Sequence, residues 1–187
     1  MSQTSEKKDL EIATLAAGCF WCTEAAYSII KGVERIEPGY TGGTVPNPSY
    51  EEVSSGTTGH AEAAQIYFDQ KVISYREILE VFFTIHDPTS LNKQGADVGT
   101  QYRSAIFYHN EEQKATAEKL IDELSKEGIW DKPIVTSVEP LREFYRAETY
   151  HKDYYKKHPK EAYCQVVIAP KIAKLQHRFV DKIKLPL

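Results

Sequence analysis

The stretch from Leu10 to Ile30 constrains this chain most. Leu10 to Ala17 is an apolar run that reads as a buried strand. Gly18-Cys19 breaks it, and a second apolar run reads as a helix to about Ile30. Gly32 can close that helix, since glycine takes the left-handed conformation that follows a last turn. Val33 to Tyr40 then resumes as a strand. Ala61 to Phe68 alternates as a further strand, and Ser74 starts the best-marked helix. Ser74 and Glu77 stand at capping-box spacing, and Ile73 can staple to Ile78. The helix carries Ile78, Leu79, Val81, Phe82, Phe83 and Ile85, and stops at His86-Asp87-Pro88 because a residue before proline avoids the helical region. Ser104 to Tyr108 reads as a short strand.

The resulting order, β-α-β-β-α-β, predicts an α+β fold of the ferredoxin-like, split βαβ kind. An additional C-terminal helix from Asn110 to Glu127, closed by Gly128, a strand from Ile134 to Glu139, a helical stretch from Ala147 to Lys157 and a tail follow. Two polar loops stand out, Thr41 to His60 and Thr89 to Arg103. The first runs to roughly twenty residues, a length that in a compact domain is often functional. The 187 residues suit one domain, 1–187, with the polar segment 1–9 expected to be flexible. A net charge of −4 gives no reason to expect a nucleic-acid partner. No apolar run approaches the ~20 residues of a membrane span, and the N-terminus lacks the apolar centre of a signal peptide. The expectation is a monomer in the cytoplasm, where thiols stay reduced. Three cysteines, an odd number, do not make a disulfide framework.

Cys19 falls where a strand meets a helix start. Free backbone N–H groups and the positive end of the helix dipole lie there, and both stabilise a thiolate. A thiol of pKa about 8.5 is expected to be lowered in such a place. Cys19-Phe20-Trp21-Cys22 is also a C-x-x-C, so a dithiol redox pair fits the spacing, as does half of a zinc site. Only Cys164 and scattered histidines remain as further ligands, with no second C-x-x-C, so no metal and no cofactor are expected. The plainer readings stand beside these. A buried cysteine is often structural. Phe20 and Trp21 by themselves would more often be core. A lone Glu62 on a strand is usually solvated, Asp97 can simply stabilise its loop, and Tyr40 is one of twelve tyrosines.

Gly18-Cys19-Phe20-Trp21, followed by Glu24, resembles the signature of the A-type methionine sulfoxide reductases. Three more segments resemble theirs: Gly39-Tyr40-Thr41-Gly42-Gly43, Thr58-Gly59-His60-Ala61-Glu62 and Gly99-Thr100-Gln101-Tyr102-Arg103-Ser104. Pro46-Asn47-Pro48-Ser49-Tyr50 adds to the match, which runs from about Ile12 to Cys164. The resemblance implies that the Cys19 thiolate attacks the sulfur of a methionine sulfoxide, free or in proteins. Glu62 would then be the acid that protonates the leaving oxygen. It implies that Tyr40 and Tyr102 hydrogen-bond that oxygen, that Phe20 and Trp21 hold the methyl group, and that Asp97 helps organise the site. Glu24 is left as structural and His60 as local geometry. Cys19 would become a sulfenic acid, resolved by Cys164, with Cys22 as the alternative, and thioredoxin would be the final reductant. Relatives often carry a glycine-rich end around a resolving cysteine. Here Gln165 to Lys174 has no glycine and reads partly as strand. A general dithiol oxidoreductase and a metal-binding or interaction module remain the competing readings.

Overall fold

A computed structural model describes residues 9–184; apart from Asp9, the segment expected to be flexible lies outside the described residues. The elements in chain order are β1 (Glu11–Ala17), α1 (Phe20–Ser28), β2 (Val33–Thr41), α2 (Tyr50–Ser54), β3 (Ala61–Phe68) and α3 (Tyr75–Ile85). After these come β4 (Lys93–Gln94), β5 (Asp97–Val98), β6 (Ser104–Tyr108), α4 (Glu111–Glu127), β7 (Ser137–Pro140), β8 (Phe144–Arg146), α5 (Tyr154–Lys157) and α6 (Ala169–Arg178). The main sheet has the order β7-β6-β1-β3-β2-β8, and β4 with β5 forms a separate hairpin. Its pairings are antiparallel except for β6 with β7, so the fold is α+β with a mixed sheet.

β1 is central and is buried on both faces from Ala13 to Ala17. One face carries the main core. There Leu15, Ala64, Ile66 and Phe68 meet Tyr27 and Ile30 from the α1 side, Ile78, Leu79 and Phe82 of α3, Ala117 and Leu120 of α4, and Leu175 of α6. On the opposite face Ala16, Ala61, Ala63, Ala105 and Phe107 are covered by Leu141 and Phe144. The Tyr27 hydroxyl donates to the Ile78 carbonyl at 2.7 Å, which ties α1 to α3 inside the core. Truncating one of these large side chains to alanine costs about 2–5 kcal/mol. The helix ends follow the signals in the chain. Ser74 and Glu77 form their capping box, Asn110 caps α4 by accepting from the Gln113 N–H, and Gly128 closes α4 at φ 65°.

The C-terminal region departs from expectation. Gln165 to Lys174, read partly as strand, is helical: a π-helical turn at Cys164–Ile168 runs directly into α6. The β-branched run Val166-Val167-Ile168 favours strand locally, but the buried pair Ile168 and Leu175, seven residues apart, needs a helical face. Ala147 to Lys157 is not one helix. A 3₁₀ turn at Thr149–His151 and the short α5 are separated by Asp153, which is left-handed at φ 54°. The polar loop from Thr41 holds α2, capped by Ser49 and Glu52, and the loop from Thr89 holds the β4–β5 hairpin. The strand expected from Ile134 begins only at Ser137, and β8 was not anticipated.

Candidate active site

Gly18 makes the elbow between β1 and α1. Its φ is 88°, and a Cβ there would lie 2.8 Å from the Gln94 side chain, so a side chain is excluded by both backbone and space. Cys19 is therefore placed as the residue that opens α1, its carbonyl accepting from the Cys22 N–H at 3.1 Å. Glu62 arrives from β3. It shares strand parity with Ala64, Ile66 and Phe68, so it faces the helices, and in the β2–β3 register it stands directly opposite Tyr40. The backbone N–H of Phe20, in the first turn of α1, donates to Glu62 Oε2 at 3.1 Å. Glu62 is 2% exposed. Burial lifts its carboxyl to about 8; the Phe20 N–H works against this, while Asp97 and Cys22 add to it. The group is thus mostly protonated at neutral pH.

The expected lowering of the Cys19 pKa does not occur in this resting geometry. Burial pushes the Cys19 thiol well up, and the Cys22 thiol and the Glu62 charge push the same way. The physical reason is desolvation: the thiol is buried, and its side chain makes no capping hydrogen bond to the helix amides. Cys22 is lowered instead, to about 7, chiefly by its hydrogen bond with Cys19 and against the effect of burial.

The other expected residues gather here. Phe20 packs on Tyr40 with ring centroids 5.7 Å apart. The Tyr40 hydroxyl donates to Glu148 Oε1 at 3.0 Å. Half-buried Tyr102 comes from the 3₁₀ turn Thr100–Tyr102, and its hydroxyl is raised by burial and then by the nearby Glu62. Asp97 accepts from the Tyr163 hydroxyl at 2.7 Å, and that hydroxyl lies 3.8 Å from Cys22 Sγ. Cys164, far along the chain, is fully buried in the same apolar cluster as Cys19 and Cys22. His60 serves local geometry. Its Nδ1 accepts from the Gly43 N–H at 3.0 Å, which leaves Nε2–H to donate to the Val45 carbonyl at 2.7 Å.

The segment from Glu148 to Tyr163 brings residues that the sequence reading passed over. Trp21 Nε1–H donates to His151 Nδ1 at 3.0 Å, and Tyr154 stacks on the Trp21 ring at 3.7 Å with the planes 5° apart. His151 is 1% exposed and lies against Phe20, Tyr50 and Tyr150. Burial lowers its pKa, so it is neutral, and its accepting Nδ1 puts the proton on Nε2. The available signal is the density of Glu148, Tyr150, His151, Tyr154 and Tyr155 within eight residues, a run that also suits a helix. Among the described residues no group of three or more His, Cys, Asp or Glu could hold a metal ion, and no helix is long and apolar enough to cross a membrane.

A buried thiol at a helix start, a carboxyl raised by burial, tyrosines and a tryptophan thus share one site. The comparisons with known proteins name the family. The chain matches the family model described as peptide methionine sulfoxide reductase over residues 11–183. It is 58% identical over 176 residues to the peptide methionine sulfoxide reductase MsrA of Saccharolobus solfataricus, covering 94% of this chain and 98% of that protein. Its fold is similar to that of reduced Mxr1 from Saccharomyces cerevisiae, with a TM-score of 0.77, 37% identity, and coverage of 88% of this chain and 95% of that one. A structure of Mxr1 in complex with Trx2 is also similar, with a TM-score of 0.55, 27% identity, and coverage of 82% and 92%. The chain belongs to the peptide methionine sulfoxide reductase family and is of the MsrA type. It is an oxidoreductase that reduces methionine sulfoxide, the chemistry of methionine repair.

Proposed function

We propose that Cys19 attacks the sulfur of a methionine S-sulfoxide, free or in proteins, while Glu62 delivers a proton to the oxygen. The observation that carries this is the pairing of a Cys19 thiol with a buried Glu62 carboxyl raised to about 8, held by the Phe20 N–H. Displacement needs the oxygen to become a better leaving group, and a carboxyl protonated at neutral pH supplies the proton. The Cys19 proton must be lost to solvent for attack, because the thiolate and not the thiol is the nucleophile. The S–O bond breaks, methionine leaves, and Cys19 carries the oxygen as a sulfenic acid. Tyr102 hydrogen-bonds the oxygen, Tyr40 does so by turning its hydroxyl proton from Glu148 Oε1 to the substrate, and Phe20 and Trp21 wall the methyl group. Asp97 organises the site through its bond to Tyr163.

Regeneration uses a second thiol, which condenses with the sulfenic acid and releases water. Cys164 is assigned this role, with Cys22 as the alternative; the clustering of all three cysteines supports both. Thioredoxin reduces the disulfide, a reading supported by the solved complex of the relative Mxr1 with Trx2. The unit that acts is one catalytic domain, 1–187, a cytoplasmic monomer. A split βαβ, ferredoxin-like core goes with it, supported by the β1-α1-β2-β3-α3-β6 sequence and the β6-β1-β3-β2 strand order.

The test is incubation of reduced protein with a methionine sulfoxide peptide, read by mass spectrometry as the loss of one oxygen. Cys19→Ser should abolish the loss and leave the fold intact, because an alcohol is a far poorer nucleophile than a thiolate at neutral pH. Substantial turnover by that variant would remove Cys19 from the role.

A further inference from the structure

We propose that Glu24 is a positioning residue for substrate binding: it holds the segment Glu148 to Tyr154 against Trp21, and so builds one wall of the methionine sulfoxide pocket. This rests on the assignment of the pocket beside Cys19 given above. Glu24 lies on α1, three residues after Trp21 and therefore on the same helical face. It is a carboxylate where few are found, at 3% exposure. Burial opposes its charge and raises its pKa, so whatever keeps it there must be specific.

What it meets is the backbone reversal that follows His151. Glu24 Oε2 accepts from the Asp153 N–H at 2.9 Å, and Oε1 lies 3.2 Å from Lys152 Nζ. Asp153 is left-handed at φ 54°, a conformation that costs a residue with a side chain roughly 1–2 kcal/mol. The carboxylate thus takes the amide of the one strained residue in the segment. That reversal is what sends the chain back along Trp21. Before it, His151 Nδ1 accepts from the indole N–H at 3.0 Å; after it, Tyr154 stacks on the indole at 3.7 Å. At the upstream end Glu148 is fixed separately, accepting from the Tyr40 hydroxyl at 3.0 Å and from the Tyr50 N–H at 3.1 Å. At the downstream end Glu24 takes the backbone amide of the reversal, beside the Tyr154 stack on Trp21 and the bond from Lys152 Nζ to the Ile36 carbonyl. Without Glu24, the Asp153 amide loses its acceptor and the turn its compensation, while the Phe20 N–H bond to Glu62 beside Cys19 is untouched. The effect should therefore fall on substrate binding and not on the intrinsic reactivity of Cys19.

The experiment uses the full chain in a Trp130→Phe background, so that emission reports Trp21 alone. Three measurements are made: KM and kcat for a methionine sulfoxide peptide, the alkylation rate of Cys19, and acrylamide quenching of Trp21. Losing a hydrogen bond to a charged group predicts a KM raised about ten- to hundredfold in Glu24→Ala, with Trp21 more readily quenched and Cys19 alkylation within about twofold of wild type. Glu24→Gln keeps an oxygen for the Asp153 N–H and should return KM to within about threefold of wild type. If Glu24→Ala does not fold, Glu24→Asp carries the test. It keeps the charge but withdraws the acceptor by one methylene, and should raise KM and expose Trp21. Wild-type KM and quenching in the Ala or Asp variant, with only a lower melting temperature, would make Glu24 an element of stability alone and overturn the proposal. Absence of sulfoxide reduction by the wild-type chain would sink the functional reading instead, and the quenching arm would still read the tether directly.

Discussion

Replacing Glu62 by glutamine removes a proton from the site while keeping its shape. The amide oxygen can still accept from the Phe20 N–H, which holds Glu62 Oε2 at 3.1 Å. With the carboxyl at about 8, roughly nine-tenths of the molecules carry the acid at pH 7 and about one-tenth at pH 9. An ordinary carboxyl at 4.5 would be protonated in only about 0.3% of molecules at pH 7, so burial raises the supply of acid about 300-fold. The Glu62 factor in the rate of the reductive step should therefore fall about tenfold between pH 7 and pH 9. Cys19 acts in the opposite sense, since its raised thiol ionises more as pH rises. The two together give a rate that rises up to about pH 8 and levels off above it, and the break at about 8 belongs to Glu62. Glu62→Gln should slow the step about ten- to ten-thousandfold at pH 7 and should lose the break, its rate still rising through pH 8. The measurement is single-turnover formation of methionine from pH 6 to pH 10. A break that persists near pH 8 in Glu62→Gln, or a wild-type rate in that variant, would refute the acid role. Linkage supplies an independent check. The folded pKa is raised, so the stabilising effect of the bound proton is present below 4.5 and is lost as pH rises to about 8. Glu62→Gln should accordingly lose less stability than the wild type over that interval.

Cys164→Ser should keep its first turnover but recycle poorly with thioredoxin, and peptide mapping of the oxidised wild type should find Cys19–Cys164. A Cys19–Cys22 linkage, with Cys164→Ser still recycling, would reassign the resolving thiol to Cys22. Cys22→Ser should retain sulfoxide reduction in a single turnover, which a dithiol oxidoreductase working through C-x-x-C would not. Gly43→Ala places a Cβ 2.4 Å from the His60 amide nitrogen and 2.5 Å from the Thr58 carbonyl. The overpacking should cost about 1–3 kcal/mol and lower the melting temperature by about 3–10 °C. An unchanged melting temperature would show that this loop yields freely.

Elements whose signals are local were legible in the chain. The capping box at Ser74, the left-handed Gly128 and the strand Ser104–Tyr108 each depend on residues a few positions apart, so spacing alone reveals them. The motifs around Cys19 and Glu62 were legible too, because Gly18 must make the elbow that puts a cysteine at a helix start. What the sequence could not settle by itself was the outcome of competition between groups distant in the chain. The helix N-terminus predicts a lowered Cys19, yet burial prevails, and the charge of Glu62, 43 residues on, pushes the same way. Val166-Val167-Ile168 favours strand, yet burying Ile168 and Leu175 together demands a helix. His151 and Tyr154 looked like helix surface until Asp153 reversed the chain and laid them on Trp21, more than 100 residues away in sequence. Desolvation and contact order are properties of the packed chain, and only the tertiary structure decides which group loses its water and which amide finds which acceptor.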